Sequence, residues 1–386
     1  MIEEKSKIEK SEDTPSIMLP DPQELIVSTS PHFHNGDSVK KFMYIVIISL
    51  LPACAAGVYF FGIDALRVLL LCTIFCVGIE ALWCKLASKK QTWRDGSAVI
   101  TGLLLGMNLS AGVPWWLCLV GALLAIVLGK QLFGGLGYNP FNPALVARVG
   151  LLIGFPKLMT TWVVPKNFSY MLDPAAKFVN SDQLAQLQAL GSTSIPFNSN
   201  IEALTCATPL GIVSTAAEST ISGGGDPFQH IASTEALQNY FWGNVGGCIG
   251  ETSVAFLLLG AALLFAYKLI RWQVPVAYIG TVAVITFLIH KFDPTLTPGP
   301  VFHIVAGGLI IGAFFMATDM VTSPMTTKGA FIFGTGCGII TCAIRIWGSY
   351  PEGVSFSILF MNALTPLIDR YSAGKPFGFK KKKAEA

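Results

Sequence analysis

Few residues in this sequence have chemistry to offer, and most of them lie inside or beside apolar stretches. Glu80 stands in the middle of Cys76-Val-Gly-Ile-Glu-Ala-Leu-Trp83, and Arg148 lies within Asn142-Pro-Ala-Leu-Val-Ala-Arg-Val-Gly150. An ionisable group in such a run is costly and reads by default as part of a pathway or a paired site. Arg148 could pair with a phosphate or with Glu80. Glu251, in Gly247-Cys-Ile-Gly-Glu-Thr-Ser253, opens a helical pattern where backbone N–H groups can receive an anion or a carbonyl. Asp319 closes Phe314-Phe-Met-Ala-Thr-Asp319 and could cap the next helix or hold a cation. His303 reads as a core histidine. The histidines of Ser30-Pro-His-Phe-His34 are not at helical ligand spacing and read as a surface contact, so no metal site is expected.

One hydroxyl stands apart from these. The segment from Lys166 to Gln238 is far longer than the roughly 12–15 residues beyond which a loop is usually functional or disordered. Within it lies Glu202-Ala-Leu-Thr-Cys-Ala-Thr-Pro-Leu210. A Thr-Pro pair in a loop reads first as a turn. The chemical alternative is a small, accessible hydroxyl at Thr208 flanked by small residues, the substrate that an external modifying enzyme needs.

These groups need apolar elements to position them. The chain is 52% hydrophobic and 13% charged, against about 25% charged in soluble domains. Its mean hydropathy is +0.59. Runs near the 20 residues that cross a bilayer recur along it. We place ten spans at 42–61, 65–86, 97–112, 114–133, 142–163, 252–270, 275–290, 300–318, 328–346 and 353–369. The nine cysteines form no CxxC pair and sit mostly inside these runs, so they read as small buried apolar residues rather than disulfides or an iron–sulfur ligand set. Residues 1–41 are too polar for a cleavable signal peptide. With the N-terminus in the cytoplasm, 19 basic residues fall inside and six outside. The positive-inside rule therefore puts both termini in the cytoplasm and the Thr208 segment outside.

The expected fold is an all-α integral membrane protein of about ten transmembrane helices. Its parts are a cytoplasmic segment (1–41), a first five-helix half (42–163), a long external segment (164–251), a second half (252–370) and a basic cytoplasmic tail (371–386). An odd number of crossings in each half makes homologous halves inverted. Ser97–Leu109, short and polar in places, and 328–346, rich in Gly and Thr, read as glycine-interrupted spans in matching places and point to broken helices that line a site. The Gly-rich tracts Thr101-Gly-Leu-Leu-Leu-Gly106 and Ala306-Gly-Gly-Leu-Ile-Ile-Gly312 add a hint of the inverted repeat. From the residues alone, a solute channel or transporter, or a structural scaffold, fits as well as a redox protein.

An ordered set of tracts narrows this. Thr29-Ser-Pro-His32, Asp95-Gly-Ser97 with Thr101-Gly-Leu-Leu104, and Gly129-Lys-Gln-Leu-Phe-Gly-Gly-Leu-Gly-Tyr-Asn-Pro-Phe-Asn-Pro-Ala144 come first. Thr205-Cys-Ala-Thr-Pro-Leu210, Gly250-Glu-Thr-Ser253, Ala317-Thr-Asp-Met-Val-Thr-Ser-Pro324, Tyr350-Pro-Glu-Gly-Val-Ser355 and Met361-Asn-Ala-Leu-Thr-Pro366 follow. Together, across residues 29–370, they resemble the NqrB/RnfD family, on the RnfD side. That resemblance implies a flavin-carrying membrane subunit of an Rnf complex, which couples electron transfer from reduced ferredoxin to NAD⁺ with Na⁺ or H⁺ translocation in an inner membrane.

The resemblance also implies site residues. FMN would be joined through its phosphate to Thr208, whose hydroxyl attacks FAD with release of AMP under a flavin transferase. Glu202 stands where the family motif has Asp, and Cys206 where it has Gly. A second, noncovalent flavin, with riboflavin as the candidate, would sit near Asn139, Asn142, Asp319 and Ser323. Glu80 and Asp319 are the candidate ion-relay acids. The flavin carries the redox chemistry and the protein positions it, so no side chain is expected to be catalytic. The implied partners are the other Rnf subunits, the transferase and lipid, with no nucleic acid. Without a dinucleotide fingerprint, NAD⁺ is expected on another subunit.

Overall fold

A computed structural model describes residues 38–88, 93–163, 165, 195–196, 202–203, 208–213, 228, 231–348, 350 and 352–374. Ser30–His34, Cys206 and the tail beyond Gly374 lie outside them. The chain is an all-α membrane protein, apart from a two-residue pairing of Ile195–Pro196 with Glu202–Ala203.

Every expected span has a helical counterpart. The first half holds α1 (Val39–Phe61), α2 (Ile63–Leu86), α3 (Ser97–Met107), α4 (Trp115–Leu123) and α5 (Pro143–Gly154). A π-helix, Leu124–Gln131, continues α4. An intervening helix, α6 (Thr234–Trp242), precedes α7 (Val254–Ala266) and α8 (Gln273–Phe292). Then come α9 (Pro300–Val305), α10 (Leu309–Ile311) running into a second π-helix (Gly312–Met316), α11 (Thr327–Trp347) and α12 (Val354–Ser372). By length and composition, α1, α2, α8 and α11 are long and apolar enough to cross a membrane. α12 is 19 residues long but less apolar; the other spans are shorter or interrupted, because glycine, proline and capping residues stop them. Asn142 caps α5, its Oδ1 accepting from Ala144 N at 3.1 Å ahead of Pro143 at the first position. Ser253 and Thr326 cap α7 and α11 in the same way.

The span at 328–346, expected to be interrupted, is the continuous 21-residue helix α11, whose glycines pack against α8 instead of breaking it. It is the third span of each half that breaks. α3 stops at Met107, and Asn108–Val113 is non-helical; α9 stops at Val305 before Ala306–Gly308. Irregular backbone survives at membrane depth only when its polar groups find partners within the protein. In both places an arginine supplies them. Arg67 donates to the carbonyls of Ala111 and Val113 at 3.4 Å. Arg345 donates to those of His303 at 2.6 Å and Ala306 at 3.4 Å. In the sequence both arginines stand at outer span ends, where they count as external charge.

The core is aliphatic, and many large apolar side chains (Leu51, Ile74, Val284, Phe287 and Ile339 among them) stay exposed, as lipid-facing residues must. Helices come close where glycine permits it. At the α1–α7 crossing, a Cβ on Gly260 would lie 2.1 Å from the Ser49 carbonyl oxygen. Because the obstacle is backbone, Gly260→Ala is expected to separate the two helices at a cost at or above the roughly 1–3 kcal/mol of ordinary overpacking. Urea unfolding in detergent micelles checks this; an unchanged midpoint would show that the crossing yields freely.

Candidate functional site

Thr208 begins a helical turn over 209–213, and its Oγ1 accepts from Gly211 N at 3.1 Å. This is an N-cap interaction, which needs a side-chain oxygen at that position. The turn is held by a small apolar cluster in which Leu210 and Val213 pack with Phe228, Phe302 and Ala306. The sequence suggests an accessible hydroxyl. The folded chain instead leaves Thr208 only 5% exposed, because the cluster draws the turn inward.

Thr208 lines a narrow cleft together with Tyr240, Gly247, Glu251, Gly307 and Glu352, with about 370 Å³ of non-protein space counted out to solvent. Burial pushes the Tyr240 phenol up to about 12, so it remains an O–H donor at neutral pH. The two glutamates meet Arg148, whose Nη2 contacts Glu352 Oε2 directly and lies 3.6 Å from Glu251 Oε1. Arg148 Nη1 also donates to Asn108 Oδ1 at 2.6 Å. Of the pairings open to Arg148 in the sequence, the one with Glu80 is not formed. Its partners come instead from the broken third span and from the segments before α7 and α12. Cys248 Sγ donates to the Asn108 carbonyl at 3.2 Å, and burial raises its pKa. Cys248, Glu251 and Glu352 place their ligand atoms within 4.8 Å of one another. Arg148 contacts both carboxylates of that group, which makes it a poor cation site.

A second polar cluster surrounds Glu80, which is fully buried. Lys130 Nζ donates to Oε1 at 2.9 Å and Oε2 at 2.8 Å, and to Ser97 Oγ at 2.6 Å. Gln131 Nε2 donates to Oε1 at 3.1 Å. Lys130 and Gln131 end the first π-helix, a local widening of the helix that is frequent at functional sites. Lys130 reads in the sequence as a cytoplasmic loop charge; it is 1% exposed. The 19-to-6 asymmetry loses one residue and keeps its sign.

The two glycine-rich regions of the halves meet. Asn142 Nδ2 donates to the carbonyl of Met316, at the end of the second π-helix, at 3.3 Å. Asp319 follows three residues later, its Oδ1 accepting from Val321 N at 3.4 Å and its Oδ2 from Thr322 at 3.5 Å. Ser323 N donates to the Asp319 carbonyl at 3.1 Å. Asn139 donates to Phe141 O at 3.1 Å, while its own Oδ1 is buried without a partner among the described residues. So Asn142 is joined to the segment leading to Asp319 and Ser323, with Asn139 close by in sequence.

His303 is a core histidine as expected, its Nε2 2.7 Å from Thr297 Oγ1. The eight described cysteines are buried and unbridged. Sequence reasoning missed Lys130, Asn108, Glu352 and the way Arg345 closes the second break. Glu352 had a signal, being the one acid in the Tyr350–Ser355 tract. Asn108 had none.

The chain's relatives are consistent across its length. The model of the NQR2, RnfD, RnfE family matches residues 26–378. The D subunit of the proton-translocating ferredoxin:NAD(+) oxidoreductase complex of Clostridium ljungdahlii is 41% identical over 356 residues, covering 92% of this chain and 96% of that protein. The D subunit of the Na(+)-translocating ferredoxin:NAD(+) oxidoreductase complex of Acetobacterium woodii is 39% identical, covering 94% and 98%. The D subunit of the ion-translocating oxidoreductase complex of Stutzerimonas stutzeri is 40% identical, covering 88% and 92%.

Proposed function

Because this chain belongs to the NQR2, RnfD, RnfE family, we propose that it is the D-type membrane subunit of an Rnf complex, carrying FMN on Thr208. The complex couples electron transfer from ferredoxin to NAD⁺ with ion translocation, as the names of its full-length relatives state for theirs. The other subunits of the complex supply the ferredoxin and NAD⁺ sites. A channel or transporter reading, open on residues alone, finds no support among these relatives.

The observation that carries the flavin assignment is the position of Thr208. Its hydroxyl lines a cleft whose walls hold the Tyr240 donor and two carboxylates, of which Glu352 keeps one oxygen without a hydrogen-bond donor among the described residues and Glu251 one with only a 3.6 Å ion-pair contact to Arg148. A polar group with hydroxyl and N–H donors fits such walls. When bound, FMN would supply one- and two-electron transfer. The protein's part would be to tether it at Thr208 Oγ1, with Tyr240, Glu251 and Glu352 lining the cleft beside that oxygen and the Leu210–Phe302 cluster excluding bulk water. We assign the second, noncovalent flavin to Asn139, Asn142, Asp319 and Ser323, where Asn142 is bonded to the segment leading to Asp319 and Asn139 keeps a buried amide oxygen without a partner among the described residues. Glu80 and Asp319 are the acids proposed for ion transfer. The orientation proposed from charge puts both termini in the cytoplasm of an inner-membrane protein and the Thr208 cleft outside, where the flavin transferase works.

A denaturing gel of the full-length chain, made in a host that possesses the transferase, tests the assignment. Flavin fluorescence is expected to stay with the band after heating in detergent. A dark wild-type band of normal abundance would overturn it.

A further inference from the structure

The cleft beside Thr208 has a feature that attachment alone does not require. Glu352 Oε1 is buried and meets no hydrogen-bond donor among the described residues, and Glu251 Oε1, also buried, has only the ion-pair contact with Arg148 Nη2 at 3.6 Å, beyond hydrogen-bond length. The Glu251 side chain is 7% exposed and that of Glu352 16%. A buried acceptor left without a donor is destabilising by roughly 1–3 kcal/mol, and more for a charged group, so among the described residues these two under-satisfied oxygens in one cleft have room for a further donor.

The surroundings say what kind of group this is. Arg148 sits against both carboxylates, and Arg345 holds the same wall by donating to the Glu352 carbonyl at 3.1 Å. Two guanidiniums already balance two carboxylates, so a further cation is disfavoured. The remaining neighbours, Cys248 and Tyr240, are uncharged at neutral pH, their ionisation opposed by burial. Space has also been kept beside Glu251. A Cβ on Gly247 would lie 3.2 Å from its Oε2, and one on Gly308 would lie 3.1 Å from its Oε1.

We infer that Glu251, assisted by Glu352, is a ligand-binding residue that accepts a hydrogen bond from an N–H or O–H donor of the group tethered at Thr208 and sets a fixed negative charge beside it. This rests on the covalent-flavin reading; the ribityl hydroxyls and ring N–H of a flavin are donors of this class. Nothing about Glu251 is needed for attachment, which uses the threonine oxygen. Its consequence is electrostatic. A fixed negative charge near a group that gains electrons opposes their arrival, and it does so strongly where water is excluded.

The experiment is a spectroscopic redox titration of the purified full-length chain bearing its attached flavin. Glu251→Gln keeps the shape and removes the charge. It is expected to retain the fluorescent band and to favour the reduced form at least tenfold more than wild type, an upward shift of about 59 mV for a one-electron step. Glu352→Gln is expected to shift in the same direction and carries the same test if Glu251→Gln does not accumulate. Asp293→Asn, at an exposed loop position, is the control and is expected to leave the potential in place. An attached flavin whose potential is unmoved in both glutamine variants would overturn this inference while leaving the covalent-flavin reading intact. A wild-type chain without flavin would instead remove the reading on which it rests.

Discussion

Thr208→Ala is expected to abolish the covalent flavin and to reduce ferredoxin-to-NAD⁺ electron transfer by the assembled complex at least a hundredfold, with the subunit still present in the membrane. The structure separates this loss from a folding defect. The only described bond of the Thr208 side chain is the cap to Gly211 N at 3.1 Å. Losing an N-cap residue costs about 1 kcal/mol, which is too little to remove the chain from the membrane. Thr208→Ser keeps both the cap and the nucleophile, and it is expected to retain the flavin. In-gel fluorescence, together with NAD⁺ reduction by purified complex, reads both outcomes. A Thr208→Ala band that still fluoresces would move the attachment elsewhere. Burial adds a condition. At 5% exposure the hydroxyl cannot reach an enzyme's active site from the closed fold. Attachment therefore requires the 209–213 turn to be open, either before its apolar cluster closes or during a local opening, and such openings are ordinary in weakly packed segments.

How far the sequence foretells this site depends on the kind of interaction. Hydropathy and glycine spacing locate the spans and the broken third element of the first half, because lipid imposes one rule on all residues of a span. They misplace the second break, because the glycines of α11 serve close packing against α8 and do not interrupt it. Spacing cannot show how the breaks are closed. Arg67 and Arg345 lie far in sequence from the carbonyls they satisfy, and an arginine near a span end reads first as a topology signal. Lys130 misleads for the same reason. Its counterpart Glu80 lies fifty residues earlier, and only the packing of α2 against the first π-helix joins them. Thr208 is legible as a member of a motif; its burial is not, since that depends on Phe228 and Phe302 arriving from separate segments. Nor does the sequence connect Arg148 to Glu251 and Glu352, because nothing in three distant tracts shows that they share one cleft.

The second large effect is expected at the Glu80–Lys130 pair. Both side chains are essentially excluded from solvent, at 0% and 2% exposure, with nitrogen and oxygen 2.8 Å apart. Removing one partner from a buried ion pair leaves an uncompensated charge and typically costs about 3–5 kcal/mol. Lys130→Met is therefore expected to shift the folded-to-unfolded ratio more than a hundredfold, read as a lowered urea midpoint in micelles or as lost accumulation. The double variant Glu80→Gln/Lys130→Met removes both charges and is expected to recover most of that stability, since replacing a whole buried pair is often close to neutral. It also decides what Glu80 is for. The acid is held by Lys130 and Gln131 at once, so an ion using it must displace that lock and then be released when the lock closes. With stability restored, the double variant in sealed vesicles is expected to pass electrons while moving fewer ions per electron. An unchanged ratio of ions to electrons would make the pair purely structural and leave Asp319, at the junction of the halves, as the remaining candidate acid.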